Sequence, residues 1–301
     1  MPKLKSAMQV VRSIAAVRKA CERARLGAMN EDCLGLVPTM GALHEGHLSL
    51  VRKAQSECEL VVATIFVNPL QFGAGEDFER YPRPLDRDCA VLERAGVDLV
   101  FVPDVAEMYP SGAVTTVEVG GLSERLDGAS RPGHFRGVAT VVTKLLNIVK
   151  PDRAYFGQKD AVQVAVLRQL VRDLNLDVEL VSGATVRDPD GLAMSSRNVY
   201  LSEVERRQAL ALPHALEAMQ EALAAGRRDR KMVLQAGMSV LEREAGVKVE
   251  YLEAVDWTTL EAVEMVAWSA GCGCGQGGQN AADRQLCGGL DGITQGWRFI
   301  G

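Results

Sequence analysis

The stretch from Cys33 to Ala54 constrains the chain more than any other. An apolar run, Cys33–Val37, stops at Pro38; glycines follow at 41 and 46, His44 and His47 stand three residues apart, and Leu48–Ala54 is amphipathic. That order reads as a strand, a tight turn and a helix start. A helix beginning near Gly46 aims its unpaired N–H groups and the positive end of its dipole at the turn, where an anion such as phosphate is stabilised. Two histidines at this spacing share one face of the first turn and can donate to phosphoryl oxygens as charge builds up. The spacing alone also fits two ordinary surface histidines, and a metal would need a third ligand.

With 301 residues the chain can hold one large domain or two modest ones, and two is the better reading. A hydrophobic content of 47%, a charged content of 24% and a net charge of −5 describe a soluble globular protein without the basic bias of a nucleic-acid binder. No apolar run approaches the roughly 18 residues that cross a bilayer. Met1–Ser6 lacks a following apolar core of secretory type, so a cytosolic protein is expected. Cys21, Cys33, Cys58 and Cys89 are scattered, and no disulfide framework is expected in such a chain.

Residues 8–26 carry a roughly helical pattern leading into the first strand. Leu60–Val67 is continuously apolar and β-branched, as in a central strand of a parallel sheet covered on both faces. It ends at Asn68-Pro69-Leu70-Gln71. Ligands of open α/β sheets bind beyond the carboxyl ends of the strands, which suits Asn68 and Gln71 to a small polar ligand; Asn-Pro equally marks a plain turn. Asp88–Ala95 reads as a helix and Val97–Val102 as a strand. Arg131, His134 and Arg136 form a basic loop facing either an anionic substrate or solvent. Then Val138, Val141, Val142, Leu145, Leu146 and Val149 keep the spacing of a helix packed on a sheet. Asp152–Phe156 is a short strand that Gly157, Gln158, Lys159 and Asp160 turn into a helix running to about Leu174. A lysine at a helix start opposes the dipole and makes more sense beside a phosphate; Gln163 returns to the same mouth one turn later. The alternation is that of an α/β protein with a doubly wound, Rossmann-like parallel sheet. With no GxGxxG after the first strand, a dinucleotide-binding version is disfavoured.

After Val178–Val181, Asp188-Pro189-Asp190-Gly191 is a turn signal. Met194-Ser195-Ser196-Arg197 then offers two hydroxyls and a guanidinium, suited to the β- and γ-phosphates of a nucleotide and to departing pyrophosphate. Alone, Ser-Ser-Arg also occurs in many surface turns. Ser202–Glu205 is a capping box opening a helix that continues from Arg206 to Ala225. Asp229 N-caps a helix reaching Glu244, and Lys248–Val255 reads as a strand.

His44-Glu45-Gly46-His47 resembles the HxGH signature of nucleotidyltransferases and class I aminoacyl-tRNA synthetases, and Ser195–Arg197 resembles the KMSKS-type loop that partners it. The longer string Val37–Val51 resembles the pantothenate synthetase (pantoate–β-alanine ligase) family, as do Arg131–Gly137, Gly157–Asp160 and Gly191–Asn198. The resemblance runs from about Met8 to about Val263. It implies ATP-dependent joining of (R)-pantoate to β-alanine with Mg²⁺, through a pantoyl adenylate, releasing AMP and pyrophosphate. The expected catalytic residues are His47, the proton donor by family precedent, with His44 and Lys159. Met40, Gly41, His44, Gly46, His47, Gly157, Gln158, Lys159, Asp160, Val186, Met194, Ser195, Ser196 and Arg197 would form the ATP site. Gln71, Gln163 and Asn68 would hold the acid, with Gln71 also near β-alanine. Asp88 is an acidic metal candidate, but Arg87 beside it would repel a cation, so the metal is left to the triphosphate oxygens.

The expected organisation is a Rossmann-like nucleotide- and pantoate-binding domain (1–185), a smaller α+β lid domain (186–268) and an atypical tail (269–301). A cytoplasmic homodimer is expected, with no nucleic acid and no membrane as partner. Two rivals stand beside this reading. One is another HxGH nucleotidyltransferase, which would need a pocket for a second phosphate; the other is a nucleotide-binding protein inactivated by its altered C-terminus.

The tail departs from the family, because ten of the residues from 271 to 301 are glycine, which weakens any strand. Cys272, Cys274 and Cys287 lack the fourth ligand of a zinc cluster. Reading the codons for Gln276–Asp291 one base later permits Arg-Val-Gly-Lys-Thr-Arg-Leu-Ile-Asp-Asn-Cys-Ala-Val-Asp-Trp-Met, a family-like ending. A frameshift around residues 262–270 is therefore expected, and resequencing the coding DNA tests it.

Overall fold

The computed structural model describes residues 7–27 and 33–266; the glycine-rich tail, its three cysteines and the 276–291 stretch on which the frameshift expectation rests lie outside the described residues. Six strands pair in one all-parallel sheet: β1 (Gln9–Val11), β2 (Leu34–Thr39), β3 (Leu60–Ile65), β4 (Leu99–Phe101), β5 (Arg153–Gly157) and β6 (Glu179–Gly183). Their order is β1-β4-β3-β2-β5-β6. The helices in chain order are α1 (Ile14–Gly27), α2 (Glu45–Glu57), α3 (Leu85–Ala95), α4 (Val105–Met108), α5 (Asp127–Ser130), α6 (His134–Val149) and α7 (Ala161–Asp173). They are followed by α8 (Glu203–Ala209), α9 (Ala211–Ala224) and α10 (Arg230–Leu241).

The alternation of side chains along each strand builds two cores. Leu34, Leu36, Val62, Phe101, Ala154 and Phe156 face one side, under α1, α6 and α7. Val37, Val61, Ala63, Ile65 and Val100 face the other, under α2 and α3. Both faces are covered, so the run around β3 can be apolar at every position. The strand order reverses between β2 and β5, and the carboxyl ends of those two strands flank the crevice where doubly wound sheets bind ligands. Both α2 and α7 begin there.

Several boundaries differ from the sequence reading. The N-terminal pattern contains the edge strand β1 before α1, too short for its period to show. β2 runs through Pro38 to Thr39. The Thr39 carbonyl accepts from Phe66 N on the β3 side, so alternation turns Pro38 N toward β5, whose pairing with β2 covers only Gly35 and Leu36. A missing N–H is harmless on that edge. α6 starts at His134, inside the stretch read as a basic loop. The helix expected over 206–225 breaks at Leu210, because Pro213 lacks the N–H that would bond the Ala209 carbonyl.

A third apolar cluster, centred on Leu216, Met219, Leu223, Val233 and Leu241, joins α9 to α10 and the chain around Leu252. The strand expected over 248–255 is absent from the described residues, where only isolated bridges such as Val255 with Ala262 and Asp229 with Met265 occur. Leu252 and Ala254 enter the small cluster, with Val249 and Tyr251 packed against it, while Val255 joins the main core. One local crosslink also escaped the sequence reading. Cys33, at the start of β2, is disulfide-bonded to Cys58, the C-cap of α2, with Cα atoms 4.5 Å apart. A β–α unit returns its end to its beginning, which is why scattered cysteines meet. Among the described residues no helix is long and apolar enough to cross a membrane.

Candidate active site

The turn between β2 and α2 is built before any ligand is considered. Gly41 has φ +83° and Ala42 φ +50°, a reversal that swings the chain from strand to helix. Buried Asp88, in the first turn of α3, holds it: Oδ2 accepts from Ala42 N at 2.7 Å and Oδ1 from Leu43 N at 2.9 Å. Thr39 Oγ1 accepts from Gly41 N at 3.1 Å and donates to the Thr64 carbonyl at 2.6 Å, tying the turn to β3. Asp88 is therefore a clamp on backbone amides, with both carboxylate oxygens spent there.

His44 is the N-cap of α2. Its Nδ1 accepts from Gly46 N at 3.1 Å, and His47 Nδ1 accepts from His44 N at 3.3 Å, a reciprocal capping pair with ring centroids 4.1 Å apart. Because a backbone N–H can only donate, both rings are fixed as the tautomer with hydrogen on Nε2. Burial, reinforced by Lys159, lowers His44 to about 4; burial, reinforced by His44, lowers His47 to about 3. Both imidazoles are thus neutral near pH 7 and keep one N–H each to offer.

A cleft of about 160 Å³ opens beside them. Met40, His44, His47, Asn68, Gln71, Lys159, Asp160, Gln163, Ser195, Ser196 and Arg197, all named from sequence, line it. Its inner wall is apolar, formed by Phe66, Val138, Val141, Val142, Leu145 and Phe156. Those α6 residues carry the same spacing as core-facing ones, so sequence could not mark them as a binding surface. Gly41, Gly46, Gly157, Gln158, Val186 and Met194 do not line the cleft. Gly41 shapes the turn, Gly46 in the first turn of α2 leaves room for the His44 ring, Gly157 and Gln158 link β5 to α7, and Met194 N donates to the Val186 carbonyl at 2.9 Å behind the serine loop.

Asn68 lines the cleft and is hydrogen-bonded inward. It is 1% exposed, and its side-chain amide donates to the Gly137 carbonyl at 3.0 Å and Gln71 Oε1 at 3.1 Å, while Oδ1 accepts from Tyr109 at 2.9 Å. Its polar atoms serve the fold and orient Gln71. Arg131 and His134 of the basic loop likewise turn inward, while Arg136 is exposed. His134 Nδ1 donates to the Gln71 carbonyl at 2.7 Å, and Arg131 makes a fork to Glu76 at 2.9 and 2.7 Å. Gln71 is thus buttressed from three sides, and Gln71 Nε2 reaches Met40 Sδ at 3.0 Å.

Lys159 Nζ is 2.7 Å from Asp160 Oδ1, which supplies the charge a lysine lacks at a helix start. Across the cleft, Ser196 Oγ donates to the Ala42 carbonyl at 3.0 Å, and Arg197 pairs with Asp77. Two ion pairs from Arg206, to Asp188 at 2.7 Å and Asp190 at 2.9 Å, pin the turn that carries the serine loop onto α8. A second cleft, of about 850 Å³, shares Lys159, Ser195 and Arg197 with the first and continues between the 74–80 segment and α8–α9.

A parallel doubly wound sheet with an HxGH turn at its reversal point, and a Ser-Ser-Arg loop hydrogen-bonded to that turn, defines an enzyme class that handles the phosphates of a nucleotide. Comparison narrows the class. The pantoate–β-alanine ligase family profile matches residues 9–274. The chain is 65% identical over 237 residues to the pantothenate synthetase of Acidobacterium capsulatum, covering 79% of each protein. It superposes on the crystal structure of pantothenate synthetase from Thermus thermophilus with TM-score 0.81 and 49% identity, over 88% of this chain and 92% of that one. The Francisella tularensis pantoate–β-alanine ligase, solved with β-γ ATP and β-alanine, matches with TM-score 0.69 and 35% identity over 83% of this chain and 90% of that one. The chain belongs to the pantoate–β-alanine ligase family of ATP-dependent ligases.

Proposed function

We propose that the chain condenses (R)-pantoate with β-alanine through an enzyme-bound pantoyl adenylate. The observation that carries the reading is the cleft itself. One cleft brings together two neutral histidines with Nε2–H groups, an apolar wall, Gln71 and Gln163, Lys159 and the Ser195–Arg197 loop. A small branched hydroxy acid fits such a wall, with its methyl groups on Val138, Val142 and Phe156 and its polar groups on the two glutamines.

A carboxylate oxygen of pantoate attacks the α-phosphorus, the bond to the bridging oxygen breaks, and pyrophosphate departs. His44 and His47 donate from Nε2 to the α-phosphoryl oxygens as charge accumulates, at the positive end of α2. His47 serves in this assignment as the hydrogen-bond donor to the transferring phosphoryl group, and because the acid attacks as its carboxylate no net proton transfer is needed. Lys159, Ser195, Ser196 and Arg197 carry the β- and γ-phosphates. In the second step the β-alanine nitrogen attacks the acyl carbon, the carbon–oxygen bond to AMP breaks, and the amine proton passes to solvent. No enzyme nucleophile is required, since positioning and charge stabilisation carry both steps.

Mg²⁺ belongs in this reading on the triphosphate oxygens, its usual partners; Asp88 is committed to the turn. A homodimer in the cytoplasm completes the proposal, and the mass in solution and cell fractionation test it. The mechanism is tested with pantoate labelled with ¹⁸O in its carboxylate. Transfer of one label into AMP supports the adenylate, and unlabelled AMP would reject it. The same assay separates the nearest rival, a transferase that needs a second phosphate, because such an enzyme leaves the pantoate label untouched.

A further inference from the structure

Arg197 and Asp77 meet as fork on fork: Nε to Oδ2 at 2.9 Å and Nη2 to Oδ1 at 3.0 Å, across 120 residues of sequence. Arg197 lines both clefts, whereas Asp77 lines only the second, so the guanidinium stands in their shared wall with its counter-ion behind it. The pair is confined. The guanidinium lies 5.5 Å from the Tyr81 ring centre and 6.0 Å from that of Phe72, and the aspartate side chain is only 15% exposed. An exposed ion pair is worth little, but this one fixes a planar group in orientation as well as place. A guanidinium carries five N–H donors, and the fork uses two, leaving three for another anion.

The neighbouring residue repeats the device. Glu76 holds Arg131 in a second fork, so consecutive carboxylates of one loop grip two arginines from different parts of the chain. The loop they belong to is thereby pinned between the α5–α6 turn and the serine loop.

We propose that Asp77 is a positioning residue for the nucleotide, acting through Arg197: it holds the guanidinium so that its remaining donors meet the phosphates without reorientation. The inference rests on the reading of Arg197 as a phosphate ligand. Burial disfavours the Arg197 charge, and the Asp77 carboxylate beside it more than offsets this.

The test compares wild type, D77N, D77E, R197M and the double variant D77N/R197M in two readouts, ATP affinity by calorimetry and pantoate-dependent pyrophosphate formation. D77N is expected to weaken ATP binding and raise the KM for ATP by about 10- to 100-fold, with the KM for pantoate near wild type. D77E should recover part of the loss, and the double variant should bind ATP no worse than R197M alone, since both changes remove one coupled unit. Unchanged or tighter ATP binding by D77N would overturn the proposal, as would a loss that multiplies on top of R197M. Should D77N not fold, D77E against wild type carries the same comparison, and equal ATP affinity there overturns the proposal. Failure of the functional reading looks different: wild type would bind ATP yet form no pyrophosphate with pantoate, and the calorimetric comparison would still decide the role of Asp77.

Discussion

His44 and His47 show how a short motif fixes a protonation state. Each ring accepts a backbone N–H at Nδ1, so each presents an Nε2–H, and burial keeps both neutral far below the ordinary histidine range. His134, lowered to about 4 by burial and by Arg131, is a third neutral ring, with its hydrogen on Nδ1 instead. In an NMR titration none of the three should change protonation between about pH 5.5 and 8. A midpoint near 6.5 for His44 or His47 would contradict the site. The stability consequence has a definite sign: the unfolded chain binds these protons first, so the stability they lend is complete above the unfolded value of 6.5 and drains away as pH falls toward about 4. Replacing His47 by Ala should lower pyrophosphate formation by about 10²- to 10³-fold, the scale of losing one donor to a charged transition state. Asp88→Ala should release Ala42 N and Leu43 N together, lowering both melting temperature and turnover; melting that falls with turnover unchanged would mean the turn keeps its shape without the clamp.

At the scale of elements, what was legible in the sequence was local. The β2–turn–α2 unit announces itself because an apolar run, a positive-φ glycine and a capping residue are adjacent in the chain, and Ser202 with Glu205 forms its capping box as read. The clamp of Asp88, the fork of Asp77 and the inward turn of Arg131 and His134 were not legible, because each depends on a partner 45 to 120 residues away. The strand expected over 248–255 was misread for a related reason: a β-prone apolar segment reads the same whether or not a neighbouring strand pairs with it. One close approach decides the placement of Gln71. A Cβ on Gly137 of α6 would lie 2.1 Å from the Leu70 carbonyl oxygen, so Gly137→Ala must push the helix off the Asn68–Gln71 turn. The expected result is a loss of about 1–3 kcal/mol in stability, as for an overpacked core, and a raised KM for pantoate with a smaller change for ATP. An equal rise for both substrates would place Gln71 outside the acid subsite.

Across the whole molecule, two cores on one sheet hold the cleft rigid from below, while the third cluster reaches it through the serine loop and through contacts around residues 251–261. Tyr251 donates to buried Asp127 at 2.5 Å, Glu261 pairs with Arg125 at 3.0 Å, and Trp257 packs under Arg168 with 4.9 Å to the ring centre. Burial raises Asp127 to about 6 despite the tyrosine donor, so its contribution has the opposite sign to that of the histidines and is lost as pH rises through about 6. All the residues assigned to chemistry lie upstream of the glycine-rich tail. The most direct measurement is AMP release from ATP and Mg²⁺ by the purified 301-residue chain, given pantoate alone, β-alanine alone, or both. Sustained AMP formation only with both acids present is the expected result and would show that the chain is active with its glycine-rich tail in place. ATP binding without AMP or pyrophosphate in any mixture would contradict the account for this chain.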